Sequence, residues 1–124
     1  LLLNHPNNPT GTVFNPEELE LVADVAREED LIVVTDEIYE HIVYADHYRS
    51  PVEVADLAER TVVCTGLSKT YSVTGWRVGF ALAPEPLSAE LRKVHDAGVL
   101  AHLARLPPYY RVFAPAMEDM VFFH

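Results

Sequence analysis

Short apolar runs that break off into polar clusters constrain the fold of this chain more than any other feature. Residues 31–35 are apolar at nearly every position and rich in β-branched side chains, then give way to Asp36-Glu37. Residues 61–65 repeat the pattern and end in Gly66-Leu67-Ser68-Lys69. Residues 1–3 form a third run, stopped by a loop of asparagine, proline and glycine from Asn4 to Gly11. A continuous apolar run of this length reads as a strand covered on both faces. Between the run at residues 1–3 and the run at 31–35 the period changes. Asn15 can cap a helix, Pro16 suits its first turn, and Glu17 and Glu18 face the positive end of its dipole. Leu19, Val22, Ala23 and Ala26 then recur at helical spacing through Glu29. Residues 52–59 predict a short helix and residues 76–83 a further strand. Ser88 is expected to cap a helix through Val94, with Leu91 and Val94 on its inner face. Strand–helix alternation of this kind predicts an α/β fold, three-layer α/β/α with a mostly parallel sheet.

A chain of 124 residues has room for about one domain. The α/β pattern occupies residues 1–96, expected to be part of a ligand-binding domain. Residues 97–124 read as a divergent C-terminal tail, helical up to Leu106 and broken by Pro107-Pro108. The start, Leu1-Leu2-Leu3, lacks an initiator Met and reads as the end of a buried strand, so the chain is expected to be a piece of something longer. Nine Lys and Arg against 19 Asp and Glu leave a net charge of −10, which repels phosphate backbones and argues against a nucleic-acid partner. No apolar run approaches the ~18 residues of a membrane span, and no membrane partner is expected. The single cysteine, Cys64, excludes an internal disulfide framework and fits a reducing, cytoplasmic compartment.

In parallel α/β sheets ligands sit beyond the carboxyl ends of the strands. The polar residues of this chain collect there: the Asn/Pro/Gly loop, Asp36 with Tyr39 one turn later, and Ser68 with Lys69. Arg77 follows eight residues past the lysine. Only two lysines occur, and Lys93 belongs to a solvated helix face. Lys69 follows a buried strand, and a lysine in a pocket has a lowered pKa that frees it as a nucleophile for a Schiff base. Pyridoxal phosphate needs such a lysine, an acid against its ring nitrogen, donors to its phenolic oxygen and a cation for its phosphate. Lys69, Asp36, Asn8 with Tyr39, and Arg77 with Ser68 supply these in turn. Taken singly, each has an ordinary structural reading: Lys69 and Asp36 as turn or helix caps, Tyr39 as core, Asn8 as turn chemistry, Arg77 as a surface ion pair. The six histidines show no metal-ligand spacing and no metal is expected. Gly66-Leu67-Ser68-Lys69-Thr70 lacks the second glycine of a nucleophile elbow, and the residue before Lys69 is Ser68 rather than the glycine of a P-loop.

Asn7-Asn8-Pro9-Thr10-Gly11, Asp36-Glu37-Ile38-Tyr39, Gly66-Leu67-Ser68-Lys69-Thr70-Tyr71 and Thr74-Gly75-Trp76-Arg77-Val78-Gly79 together resemble the class I/II aminotransferases, fold-type I pyridoxal-phosphate enzymes. Four motifs in this order and spacing are far more specific than any one. The resemblance covers residues 1 to about 96 and implies that they are part of the pyridoxal-phosphate-binding large domain. It implies pyridoxal 5'-phosphate as cofactor and amino-group transfer from an amino acid to a 2-oxo acid. Lys69 matches the catalytic lysine that carries the Schiff base and shuttles the proton. Asp36 matches the acid paired with the pyridinium nitrogen, and Asn8 and Tyr39 the pair on the phenolic oxygen. Arg77 matches the phosphate arginine, and Ser68, just before the lysine, is similar to a hydroxyl that often assists the phosphate.

The resemblance also implies a homodimer, because the family builds its active sites at a dimer interface. Gly66 stands where members often carry a phosphate-binding serine. The family's upstream phosphate loop, its ring-stacking aromatic and its carboxylate-gripping arginine match nothing here, so this chain alone is expected to hold the cofactor weakly or not at all. Two other readings use the same residues: an aminotransferase-like sensor domain of a transcription regulator, and a pyridoxal-phosphate-dependent carbon–sulfur β-lyase.

Overall fold

The computed structural model describes residues 1–54 and 56–105, with side chains as far as Ala97. Four strands form one sheet in the order β1 (Leu2–Asn4), β2 (Val33–Asp36), β3 (Thr61–Gly66) and β4 (Gly79–Leu82). The first two pairings are parallel and the third antiparallel, so the sheet is mostly parallel as expected, within an α/β fold.

Helix α1 (Pro16–Glu28) crosses between β1 and β2. Its start follows the sequence closely. The Asn15 side chain accepts from the Glu18 N–H at 2.9 Å, and the Glu18 carboxylate accepts from the Asn15 N–H at 2.8 Å. This reciprocal cap satisfies two donors that the first turn leaves without helical partners. Leu19, Ala23 and Ala26 are its buried stripe, packed with Leu3, Val33, Val54 and Leu57. Full burial of a side chain such as Leu19 stabilises by roughly 1.5–3 kcal/mol. The core therefore lies on one face of the sheet. Leu2, Val34 and Val62 share the opposite face through their register, and so do Asn4, Asp36 and Cys64.

The segment 52–59 is not one helix. It makes two 3-10 turns, Pro51–Glu53 and Ala58–Arg60, separated by an extended Val54 and a left-handed Asp56 at φ +68°. That break lets both Val54 and Leu57 enter the core. The last predicted strand is shorter than 76–83. Thr74–Trp76 form a 3-10 turn, Arg77 is left-handed, and pairing begins only at Gly79.

Helix α3 (Glu85–Arg105) starts before Ser88 and joins two segments that the sequence separates. Glu85 and Pro86 suit its first turn, and Ser88 sits buried inside it, its hydroxyl donating to the Glu85 carbonyl at 3.0 Å. Leu91 is half-buried, but Val94 is 71% exposed, because the inward stripe runs through Ser88, Leu91 and His95. The expected break at Pro107-Pro108 and the rest of the tail lie outside the described residues. No described helix is long and apolar enough to cross a membrane.

Candidate functional site

Asn4, Asp36 and Cys64 are aligned in the register of β1, β2 and β3, so β1 and β2 end level and β3 runs two residues further, to Gly66. Each is followed by one of the polar clusters. Because β4 runs antiparallel and Gly79 pairs with Gly66, the residues that precede β4 return to this same edge. Arg77 thereby joins the ends of β1 to β3. Gly66 makes the return possible: a Cβ there would lie 2.8 Å from the Val78 carbonyl oxygen and 3.0 Å from the Gly79 Cα.

The loop after β1 is held by its own amides. The Asn4 side-chain oxygen accepts from the Asn8 N–H at 2.7 Å and from the Asn7 side-chain amide at 3.1 Å. Asn7 in turn accepts from the Thr10 hydroxyl at 2.7 Å, and Gly11 turns the chain at φ +72°, a region glycine enters without steric cost. The exposed Asn8 amide reaches across and donates to the Tyr39 hydroxyl at 3.3 Å. A cleft opens beside this pair, walled by Pro6, Pro9, Val13, Ile42 and Tyr44.

Asp36 is half-buried at the end of β2, where one carboxylate oxygen accepts from the Ile38 N–H at 3.2 Å. That bond turns the chain and sends Tyr39 back toward Asn8. The second Asp36 oxygen has no hydrogen-bond donor among the described residues. Helix α2 (Leu67–Thr70), a single turn after β3, carries Ser68 and Lys69. The Lys69 Nζ lies 5.6 Å from the centre of the Tyr39 ring and pairs with no carboxylate among the described residues. Lys69 is exposed here rather than enclosed. The Ser68 carbonyl accepts from the Thr74 hydroxyl at 3.2 Å, and the Arg77 guanidinium donates to the Thr74 carbonyl at 3.4 Å, so Thr74 links the two. All six predicted residues thus stand on segments gathered at one edge of the sheet. Lys69, Tyr39 and Asn8 are in direct succession, and Arg77 with Ser68 stands around Thr74.

Four residues of this edge, Glu37, Tyr48, His5 and Cys64, escape sequence reasoning as parts of the site. Glu37, next to Asp36, is buried and takes the Tyr48 hydroxyl at 2.6 Å and the Ser50 hydroxyl at 2.9 Å. Burial pushes its carboxyl above the ordinary range, partly opposed by those two donors. The Tyr48 phenol is pushed up in turn, by burial and by the Glu37 carboxylate. His5 is fully buried between the rings of Phe14 and Tyr48, each centred 5.1 Å away. Burial lowers its pKa, which favours the neutral form of the ring, against a smaller opposing effect of the Arg49 carbonyl. Cys64, beside Asp36, has its thiol pushed up by burial, with the Asp36 and Glu37 charges adding. The one signal for Glu37 was an acid next to another acid at a buried strand end. Nothing local marks His5 or Tyr48. Among the described residues no group of three or more acidic, cysteine or histidine side chains can hold a metal ion.

An α/β sheet with an amine, a carboxylate, a phenol–amide pair and a guanidinium at its carboxyl edge is consistent with the fold-type I class. The family model described as "Aminotransferase class I and II" matches residues 1–109, and the chain belongs to that family. It is 48% identical over 101 residues to an aspartate aminotransferase of Musicola paradisiaca, covering 80% of this chain and 25% of the relative. It is 44% identical over 100 residues to human kynurenine–oxoglutarate transaminase 1, covering 80% of this chain and 24% of that one. The solved N-succinyldiaminopimelate aminotransferase of Mycobacterium tuberculosis superposes with a TM-score of 0.74 at 32% identity, over 96% of this chain and 30% of its own. The chain therefore spans about a quarter of the length of the curated relatives it matches. The family is one of pyridoxal-phosphate-dependent enzymes, as the sequence motifs imply.

Proposed function

We propose that these residues are the cofactor-holding part of an aminotransferase that moves an amino group from an amino acid to a 2-oxo acid. The reading rests on one observation. Asn8, Asp36, Lys69 and Arg77 come from four separate segments and meet at one sheet edge, with the Lys69 amine over the Tyr39 ring.

The donor set suits pyridoxal phosphate. Asp36 has a carboxylate oxygen without a donor among the described residues, on a half-buried side chain where a charge partner interacts strongly. It would hold the ring nitrogen in its protonated state. The Asn8 amide and Tyr39 hydroxyl would bind the phenolic oxygen, and Arg77 with Ser68 the phosphate. Bound pyridoxal phosphate supplies an aldehyde that captures amines and a ring that accepts electrons. Lys69 would hold the cofactor through Nζ and would serve as the base that moves the proton at the substrate Cα. Tyr39 sits beneath that amine and orients it. The relatives' names support amino-acid and 2-oxo-acid substrates. A homodimer follows from the family resemblance, and a cytoplasmic location from the single cysteine.

The test is to mix the full-length protein with pyridoxal phosphate, reduce with borohydride and map the modified peptide by mass spectrometry. Label on Lys69, lost in Lys69→Ala, is the expected result. Label elsewhere, or none, rejects the reading. Product analysis then separates amino transfer, which yields a 2-oxo acid and a new amino acid, from carbon–sulfur cleavage, which releases a thiol. Sedimentation of the full-length protein tests the dimer.

A further inference from the structure

We propose that His5 is a positioning residue that clasps the base of the Asn8 loop and, through the same ring, sets the contact between Asn8 and Tyr39. His5 directly follows β1 and Phe14 directly precedes the cap of α1, so the two residues are the feet of the loop that carries Asn8. The Phe14 N–H points at His5 Nδ1 at 3.2 Å. A backbone N–H only donates, so Nδ1 must be the accepting nitrogen of a neutral ring. The proton then resides on Nε2, and Nε2 donates to the Arg49 carbonyl at 3.0 Å. One ring therefore ties the Asn8 loop to the segment that follows Tyr39, across 44 positions of chain.

The rest of the ring is also held. It is fully buried between Phe14 and Tyr48, and the Tyr48 hydroxyl ends on Glu37, the neighbour of Asp36. The His5 backbone N–H donates to the Asp36 carbonyl at 3.0 Å. Asn8 is itself exposed, and its side chain meets Tyr39 at 3.3 Å through a single hydrogen bond. Such a contact keeps its geometry only if both supporting segments are fixed. Loss of the Nδ1 acceptor strands a partly buried donor at the foot of one segment, and loss of Nε2–H frees the other.

The proposal assigns a role only in orienting Asn8 and Tyr39, and it builds on the cofactor reading above. Its first test needs no cofactor. Nitrogen-15 NMR of His5 in the cofactor-free protein should show the neutral Nε2–H tautomer, with a protected Phe14 amide. An Nδ1–H tautomer, or a freely exchanging Phe14 amide, overturns the clasp whatever happens to the cofactor. The second test compares His5→Phe, which keeps the stacked ring and loses both hydrogen bonds, with His5→Asn, whose side-chain oxygen can still accept from Phe14. His5→Phe should weaken pyridoxal phosphate binding about tenfold and move the pH midpoint of its visible band, with His5→Asn in between. In a Tyr39→Phe background the same His5→Phe change should have little further effect on that midpoint. Equal, additive effects in both backgrounds mean that His5 acts on the fold alone and reject the proposal. If His5→Phe does not fold, the comparison is made with His5→Asn in the same two backgrounds.

Discussion

The Lys69 amine stands 5.6 Å from the centre of the Tyr39 ring, on a segment 30 residues away in sequence. The two are brought together because β2 and β3 are parallel neighbours, and because a turn after Asp36 and a single helical turn after Gly66 both lead out of the same edge. At the other side of the ring's hydroxyl, Asn8 completes the succession. The relationship gives Tyr39 two separable functions: its ring faces the amine and its hydroxyl meets the amide.

Tyr39→Phe separates them. The substitution keeps the ring beneath Lys69 and removes the hydroxyl that Asn8 meets. Cofactor affinity should fall by roughly 1.5–3 kcal/mol, the range for one hydrogen bond to a charged group, while Lys69 is still labelled after reduction. Fluorescence titration with pyridoxal phosphate gives the affinity. An unchanged affinity would remove the hydroxyl from the site.

Gly66 is expected to resist substitution for steric reasons alone. Gly66→Ser places a Cβ against the Val78 oxygen and the Gly79 Cα, both backbone atoms that cannot swing aside. The cost should be about 1–3 kcal/mol, as for other overpacked positions, seen as a lower urea midpoint at unchanged slope. Gly75→Ala is the control. Nothing lies within 4 Å of its Cβ position, and stability should change by no more than ~0.5 kcal/mol.

Glu37 governs part of the acid response. Its folded pKa is raised above the ordinary 4.5 by burial, so between that value and the folded one the native state binds more protons than the unfolded chain. Stability contributed by this group therefore falls as pH rises through that window. His5 acts in the opposite sense: its folded pKa is lowered from 6.5, so its contribution is intact above that value and is lost as pH falls below it. Glu37→Gln should abolish the fall that Glu37 contributes above pH 4.5 and keep the His5 contribution, seen as a smaller loss of stability across that window in a series of denaturation curves. A Glu37→Gln profile parallel to that of the unsubstituted protein would contradict the raised carboxyl. The same variant should let the Tyr48 phenol titrate at lower pH, because the Glu37 charge helps to hold it up.

Asn15→Ala removes the reciprocal cap of α1 and should cost about 1 kcal/mol. Asn15→Asp retains the acceptor and should stay near the original stability. Equal losses in both would show that the start of α1 is held by packing rather than by the cap.

Local periodicity made much of this molecule readable. The Asn15 cap, α1 and the buried positions of β3 depend on neighbours within a few residues, and the sequence displays them. The helix expected over 52–59 failed because helical spacing of Val54 and Leu57 is also satisfied by two short turns around a left-handed Asp56. The start of α3 was misjudged because Ser88 resembles a cap, while Glu85 and Pro86 already form a good first turn. The motif residues were found because their order along the chain is distinctive. Glu37 and His5 were not, since their partners lie 9 to 44 positions away and no short-range pattern carries that information.

Residue order alone determined that strands alternate with helices, that α1 opens at Asn15, and that an amine, a carboxylate and a guanidinium are delivered just outside strand ends. These follow from backbone dihedrals, hydrophobic period and capping, all short-range. Tertiary structure decided that β4 turns antiparallel and returns Arg77 to the others, that Tyr39 lies beneath Lys69, and that His5 is the pin of the Asn8 loop. Those outcomes depend on strand register and on which buried donor finds which acceptor. Such choices are made only when distant segments compete for the same interior.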